Sequence, residues 1–116
     1  MTQRVSAALE LVGGECCTPV AGEVLTEAAA GRLAASLKAL AEPTRLRLLS
    51  LVASDRAQEA CVCDLVETVG LSQPTVSHHL RILVEARILT REQRGRWAYY
   101  RLVPETLTDL ARLITP

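Results

Sequence analysis

Between Asp64 and Leu102 the apolar spacing of this chain changes from about 3.6 residues to about 2, and few folds accommodate that change. Val62 to Val69 reads as a short helix with Leu65 and Val69 on its inner side. Gly70 ends it, because glycine takes the left-handed conformation that helix C-caps use. Leu71 is expected to plug the turn. Ser72 is expected to cap a second helix that has Pro74 in its first turn and runs to about Ala86. At about 100° per residue, Val76, Leu80, Leu83 and Val84 share one side of it. Two short strands follow, Ile88–Gln93 and Trp97–Leu102, joined at Arg94-Gly95-Arg96.

Upstream, Thr26 is an expected N-cap and the alanine-rich stretch Glu27–Leu40 an expected helix. Glu42-Pro43 breaks it and opens another helix, in which Leu46, Leu48, Leu49, Leu51 and Val52 predict a largely buried element ending near Ser54. Asp55 to Glu59 reads as a loop. Pro104-Glu105 opens a last amphipathic helix carrying Leu107, Leu110, Leu113 and Ile114. Only Trp97, Tyr99 and Tyr100 are aromatic, so the core must be aliphatic, which favours packed helices over a sheet sandwich. The expected fold is mainly α with a small β-hairpin, a winged helix-turn-helix in the order ααααββα. Residues 1–24, with Gly13-Gly14 and Pro19, read as a flexible N-terminal arm, and 25–116 as one domain.

Formal net charge is zero, but the charge is uneven. Six arginines (Arg81, Arg87, Arg91, Arg94, Arg96, Arg101) against Glu85 and Glu92 give the segment 73–101 a net +4 and leave −4 on the remainder. A cationic face on a neutral chain suits nucleic acid. Pro74, Thr75, His78, Arg81 and Glu85 point away from the apolar side of their helix, with Ser77 on the flank. The N-terminal residues of such a helix approach base edges, so Ser72, Gln73, Thr75, Ser77, His78 and Arg81 are candidate DNA contacts. Arg94 and Arg96 at the hairpin tip are candidates to straddle the backbone beside a neighbouring minor groove. Adjacent His78 and His79 diverge by about 100°, so they do not form a metal pair; His79 is expected at the edge of the core.

No run approaches the roughly 18 apolar residues of a membrane span, and no secretion signal is visible. The chain is therefore expected in the cytoplasm. Cys16, Cys17, Cys61 and Cys63 there point to metal or redox chemistry more than to structural disulfides. A glycine-rich phosphate loop, a Cys-x-x-Cys pair and a carboxylate–histidine cluster are all lacking, which argues against an enzyme and against an organic cofactor.

Three segments carry a family resemblance: Ala41-Glu42-Pro43-Thr44-Arg45-Leu46-Arg47-Leu48-Leu49, Cys61-Val62-Cys63-Asp64-Leu65, and Leu71-Ser72-Gln73-Pro74-Thr75-Val76-Ser77-His78-His79-Leu80. With the wing Gly95-Arg96-Trp97-Ala98-Tyr99-Tyr100, they resemble the ArsR/SmtB metalloregulators over about residues 30–114. The resemblance implies a homodimer held by the first and last helices. It implies operator binding by the metal-free protein and repression of a resistance or efflux operon until an inducer arrives. Cys61-Val62-Cys63-Asp64-Leu65 is similar to the sensing site of arsenite, antimonite, cadmium and lead regulators. In some arsenite regulators a third cysteine lies three residues further on; here Val66 stands there. The arm Glu15-Cys16-Cys17-Thr18 resembles the paired-cysteine arm of actinobacterial-like arsenite repressors, which makes Cys16 and Cys17 further candidate ligands. The zinc site that other members carry on the last helix has Asp109 here but no histidine.

Inside a regular helix, Cys61 and Cys63 diverge by about 200°, so they can face one ion only at a frayed or distorted helix start. Binding there strains the first helix of the reading unit, which couples the inducer to the DNA contacts. Soft thiolates select thiophilic inducers: As(III) or Sb(III) with three sulfurs, Cd(II) or Pb(II) as the alternative with more. A redox-sensing repressor is the rival, and it is expected to need Cys16 or Cys17 paired with Cys61 or Cys63.

Overall fold

The computed structural model describes residues 24–116, so the expected arm and its Cys16-Cys17 pair lie outside the described residues. Five helices and three strands follow in chain order: α1 (Glu27–Leu40), α2 (Pro43–Ser54), β1 (Glu59–Cys61), α3 (Val62–Val69), α4 (Gln73–Glu85), β2 (Leu89–Arg94), β3 (Trp97–Leu102) and α5 (Pro104–Ile114). The chain partitions into two compact units. One contains residues 34–106; the other holds the described residues 24–33 and 107–116.

In the smaller unit, Thr26 Oγ1 accepts from the Ala29 backbone N–H at 3.1 Å and so caps α1. Leu110 of α5 is buried, whereas Leu113 and Ile114 are exposed.

The larger unit carries the helix-turn-helix and the wing. Glu42 is the N-cap of α2 and Pro43 sits in its first turn, as the sequence requires. The core joins Leu48 and Val52 of α2, Leu65 of α3, and Val76, Leu80 and Leu83 of α4 to Ile88, Leu89 and Tyr100. The helical period grouped Leu46 with this core, and Leu71 was expected to plug the turn before α4. The structure corrects both: Leu46 is 51% exposed and Leu71 39% exposed, because burial follows the narrower stripe that meets a neighbour.

The sheet is antiparallel in the order β1-β3-β2. Residues 59–61 were expected to close a loop and enter a helix. Instead they form an edge strand, with Glu59 opposite Arg101, Ala60 opposite Tyr100 and Cys61 opposite Tyr99. Three residues are too few to show a period of two, and only the free edge of β3 makes them a strand. The wing is a two-residue hairpin, with Arg94 paired to Trp97 and a positive φ at Gly95 alone, the pattern of a type II′ turn.

Gly70 caps α3 at φ 74°, and a Cβ built there meets nothing within 4 Å. Gly70→Ala therefore isolates the backbone cost of the left-handed conformation, expected at about 1 kcal/mol in urea unfolding. A neutral result means the turn relaxes out of that conformation.

Candidate nucleic-acid interface and thiol pair

The reading helix is built from a sharp turn. Ser72 Oγ accepts from the Thr75 backbone N–H at 3.3 Å and donates to Thr75 Oγ1 at 2.9 Å, so these two expected DNA contacts also form the cap of α4. Gln73, Thr75, His78 and Arg81 are exposed and Ser77 is half-buried on the flank. Arg81 donates to His78 Nδ1 at 3.1 Å, which leaves His78 Nε2–H as an outward donor. Ser77, His78 and Arg81 line a cleft of about 340 Å³ that Arg91 and Tyr100 close from the sheet. Two guanidinium groups, a hydroxyl and an imidazole suit a backbone phosphate there.

His79 has a different environment, half-buried with Nδ1 3.2 Å from an Arg45 guanidinium nitrogen. Arg45 also donates to the Ala39 carbonyl at 2.6 Å. Glu42, Arg45 and His79 thus tie the α1–α2 junction to α4, and the two histidines have separate protein partners. Sequence reasoning quoted Arg45 without giving it this role.

Glu42 Oε1 accepts from the Arg45 backbone N–H at 2.9 Å, and that bond holds its carboxyl below the ordinary value of 4.5. A depressed carboxylate contributes stability that is present above its unfolded value and is lost as pH falls through the folded one. Thermal melting by circular dichroism should therefore decline below about pH 4.5. Glu42→Gln should flatten that acid limb; an unchanged limb assigns it to other carboxylates.

At the wing tip Arg96 is exposed. Arg94, expected beside it on DNA, is committed within the protein. Its guanidinium donates to both Glu59 oxygens at 2.9 and 3.0 Å and to Glu92 at 2.8 and 3.1 Å, and it lies 4.3 Å over the Tyr99 ring. Arg101 reaches Glu59 as well, at 2.9 Å. Glu59 was unmarked in the sequence, the last residue of a polar stretch read as a loop. Arg94 draws its carboxyl below the ordinary carboxylate range.

Cys61 is the last residue of β1 and the N-cap of α3, with extended backbone (φ −75°, ψ 142°). Its Sγ accepts from the Cys63 backbone N–H at 3.3 Å, the Cα atoms are 5.3 Å apart, and the structure joins the two sulfurs in a disulfide. The strand-to-helix junction removes the divergence a regular helix imposes. It also corrects the expectation that a disulfide needs Cys16 or Cys17: the extended cap lets Cys61 and Cys63 pair directly. The pair is shielded, with Cys61 5% exposed and Cys63 half-buried. Among the described residues no group of three or more His, Cys, Asp or Glu side chains could hold a metal. No described helix is long and apolar enough to cross a membrane.

Residues 42–91 match the model of a family described as bacterial regulatory protein, arsR family. An arsenic resistance transcriptional regulator of Pseudomonas putida is 50% identical over 68 residues, which are 59% of this chain and 52% of that one. The crystal structure of an antimony-specific transcriptional repressor superposes with a TM-score of 0.63 at 39% identity, covering 76% of this chain and 78% of the other. A homodimeric winged helix-turn-helix DNA-binding domain of Mycobacterium bovis gives a TM-score of 0.64 at 27% identity, over 81% of this chain and 86% of its own.

Proposed function

The chain belongs to the arsR family of bacterial regulatory proteins, a family of DNA-binding transcriptional regulators and not of enzymes, and from that premise we propose that it is a metalloid-responsive repressor. In this reading a homodimer holds operator DNA in the cytoplasm and releases it when As(III) or Sb(III) engages its cysteine thiolates. The observation that carries the reading is the convergence of Cys61 and Cys63 at the start of the first helix of the helix-turn-helix.

For DNA, Gln73, Thr75, Ser77 and His78 approach base edges from α4, while Arg81, Arg91 and Arg96 take phosphates. Arg94 orders the wing that presents Arg96. Exposed apolar side chains, Leu37 on α1 and Leu113 and Ile114 on α5, support dimerisation through those helices. The Mycobacterium bovis neighbour is itself homodimeric.

For the inducer, the donor set fits in part. Reduced Cys61 and Cys63 supply two soft sulfurs from adjoining elements, the chemistry that thiophilic ions select. Residues 1–24 supply Cys16 and Cys17 as the further thiolates, from the same subunit or the partner. Reduced Cys61 and Cys63 would hold the ion, which would supply soft-acid bonding to both sulfurs. The β1–α3 junction must then follow the sulfurs, and α3 with it, which shifts α4 relative to the groove. A coupling of about 1–3 kcal/mol, typical of such linkage, lowers operator affinity about 5- to 150-fold.

The Cys61–Cys63 disulfide favours a second reading, a thiol redox switch. There the two thiols give two electrons and two protons to a peroxide, which leaves as two waters.

The test is a fluorescence-anisotropy titration of reduced protein on its own upstream DNA, repeated with arsenite, Cd(II), Pb(II) and Zn(II). Release near one equivalent of arsenite is expected, with Cd(II) and Pb(II) weaker. Release chiefly by Cd(II) or Pb(II) moves the site to four sulfurs. Binding that no metal disturbs but peroxide abolishes overturns the metalloid reading in favour of the redox one.

A further inference from the structure

The carboxylate of Glu59 takes no part in the DNA or thiol contacts above, yet it is the best-partnered carboxylate among the described residues. It receives two hydrogen bonds from Arg94 and one from Arg101. Its strand is three residues long and ends in Cys61. We propose that Glu59 is a positioning residue that transmits the state of the Cys61–Cys63 pair to the wing, by tying the strand that carries Cys61 to Arg94 at the wing tip. This rests on the reading of the cysteines as the sensing site.

The register supports the link. Residues two apart on a strand share a face, so Glu59 and Cys61 project to the same side of β1. Directly opposite them on β3 stand Arg101 and Tyr99, and beyond those on β2 stand Thr90, Glu92 and, opposite Trp97, Arg94. One face of the sheet therefore carries a continuous row: the sensing thiol, the ring opposite it, the guanidinium over that ring, and the carboxylate two residues before the thiol. Glu59 and Cys61 are only about 7 Å apart along the strand, so β1 cannot shift at one without shifting the other.

The row also has two arrangements available. Arg94 divides its donors between Glu59 on β1 and Glu92 on its own strand. With β1 in place, Glu59 holds Arg94 toward the sheet edge and fixes the hairpin end at Gly95-Arg96. When β1 shifts, Arg94 still has Glu92 and the Tyr99 ring, so the grip passes to β2 without stranding a charge. An element with two satisfied arrangements is what a switch requires.

The chain carries one tryptophan, Trp97, paired with Arg94 at the base of the turn and 42% exposed. It reports on the wing without DNA. The experiment adds sodium arsenite to the reduced full-length chain and follows three signals: ultraviolet absorbance of the sulfur–arsenic bonds, Trp97 emission, and operator dissociation constant. In the wild type all three should change. In Glu59→Gln, the absorbance should develop with wild-type stoichiometry, the Trp97 change should vanish, and the arsenite effect on operator affinity should fall to within about twofold of none, out of the 5- to 150-fold typical of allosteric coupling. Glu92→Gln removes the partner that takes over Arg94 when β1 shifts, so it should reduce the Trp97 change while the sulfur–arsenic absorbance keeps its wild-type stoichiometry. Arg101→Gln, which removes one of the donors to Glu59, gives a partial loss and serves if Glu59→Gln does not fold by circular dichroism. A Glu59→Gln protein with the wild-type Trp97 change and wild-type release overturns the link alone. A wild-type protein that develops no sulfur–arsenic absorbance overturns the sensing-site reading and the link together.

Discussion

Cys61→Ser should bind operator DNA with wild-type affinity and remain bound when arsenite is added. The two halves of that result have separate causes. Cys61 caps α3 through its sulfur, which accepts the Cys63 backbone N–H. Serine is a preferred N-cap residue whose oxygen accepts the same kind of bond, so the substitution keeps the helix start and the DNA-reading unit intact. A hydroxyl does not ionise near neutral pH and is a hard oxygen donor, so the thiophilic site is lost. Anisotropy titration with and without arsenite measures both halves. The expected change is the complete loss of a release that spans about 5- to 150-fold in affinity. Cys63→Ser should behave alike. Loss of DNA binding without arsenite makes the cysteine structural, and retained release places the sensing thiolates elsewhere.

Leu80→Ala should destabilise the chain by about 2–5 kcal/mol, a large part of the 5–15 kcal/mol that holds a typical domain together. Leu80 is fully buried in the middle of α4, between Val76 and Leu83 on the same stripe. Truncation removes apolar contacts and leaves a cavity that the surrounding helices and sheet fill incompletely. The neighbouring residues on that helix, His78, His79 and Arg81, are half-buried or exposed, so the loss falls on the core and not on the reading face. Urea unfolding measures the change. A loss well under 1 kcal/mol means the core collapses around alanine, and the packing assigned to α4 is then wrong.

The caps and the wing were legible in the sequence because each is a local event. Thr26, Glu42-Pro43, Gly70 and Ser72 act on backbone groups within a few residues, and the structure places helix ends at each of them. The hairpin was legible because β-forming residues flank a glycine at its turn, and both strands fall within a residue of the expected bounds. The exposed polar side of α4 followed from helical period alone. The period overreached at Leu46, since spacing identifies a stripe but not which part of it meets a neighbour.

Sequence by itself determined the order of the helices, the reading helix with its polar face, the basic hairpin and the thiol pair at a helix start, because local backbone chemistry and short-range periodicity dictate these. Tertiary structure alone decided three things. Glu59–Cys61 became a strand only because an edge of β3, some forty residues away in the chain, was open to pair with it. That pairing set the extended cap that brings the Cys61 and Cys63 sulfurs together. It also delivered Glu59 to Arg94, giving an arginine expected at the hairpin tip a carboxylate partner within the protein. Each depends on a contact between segments far apart in sequence, and no window of neighbouring residues contains the information for it.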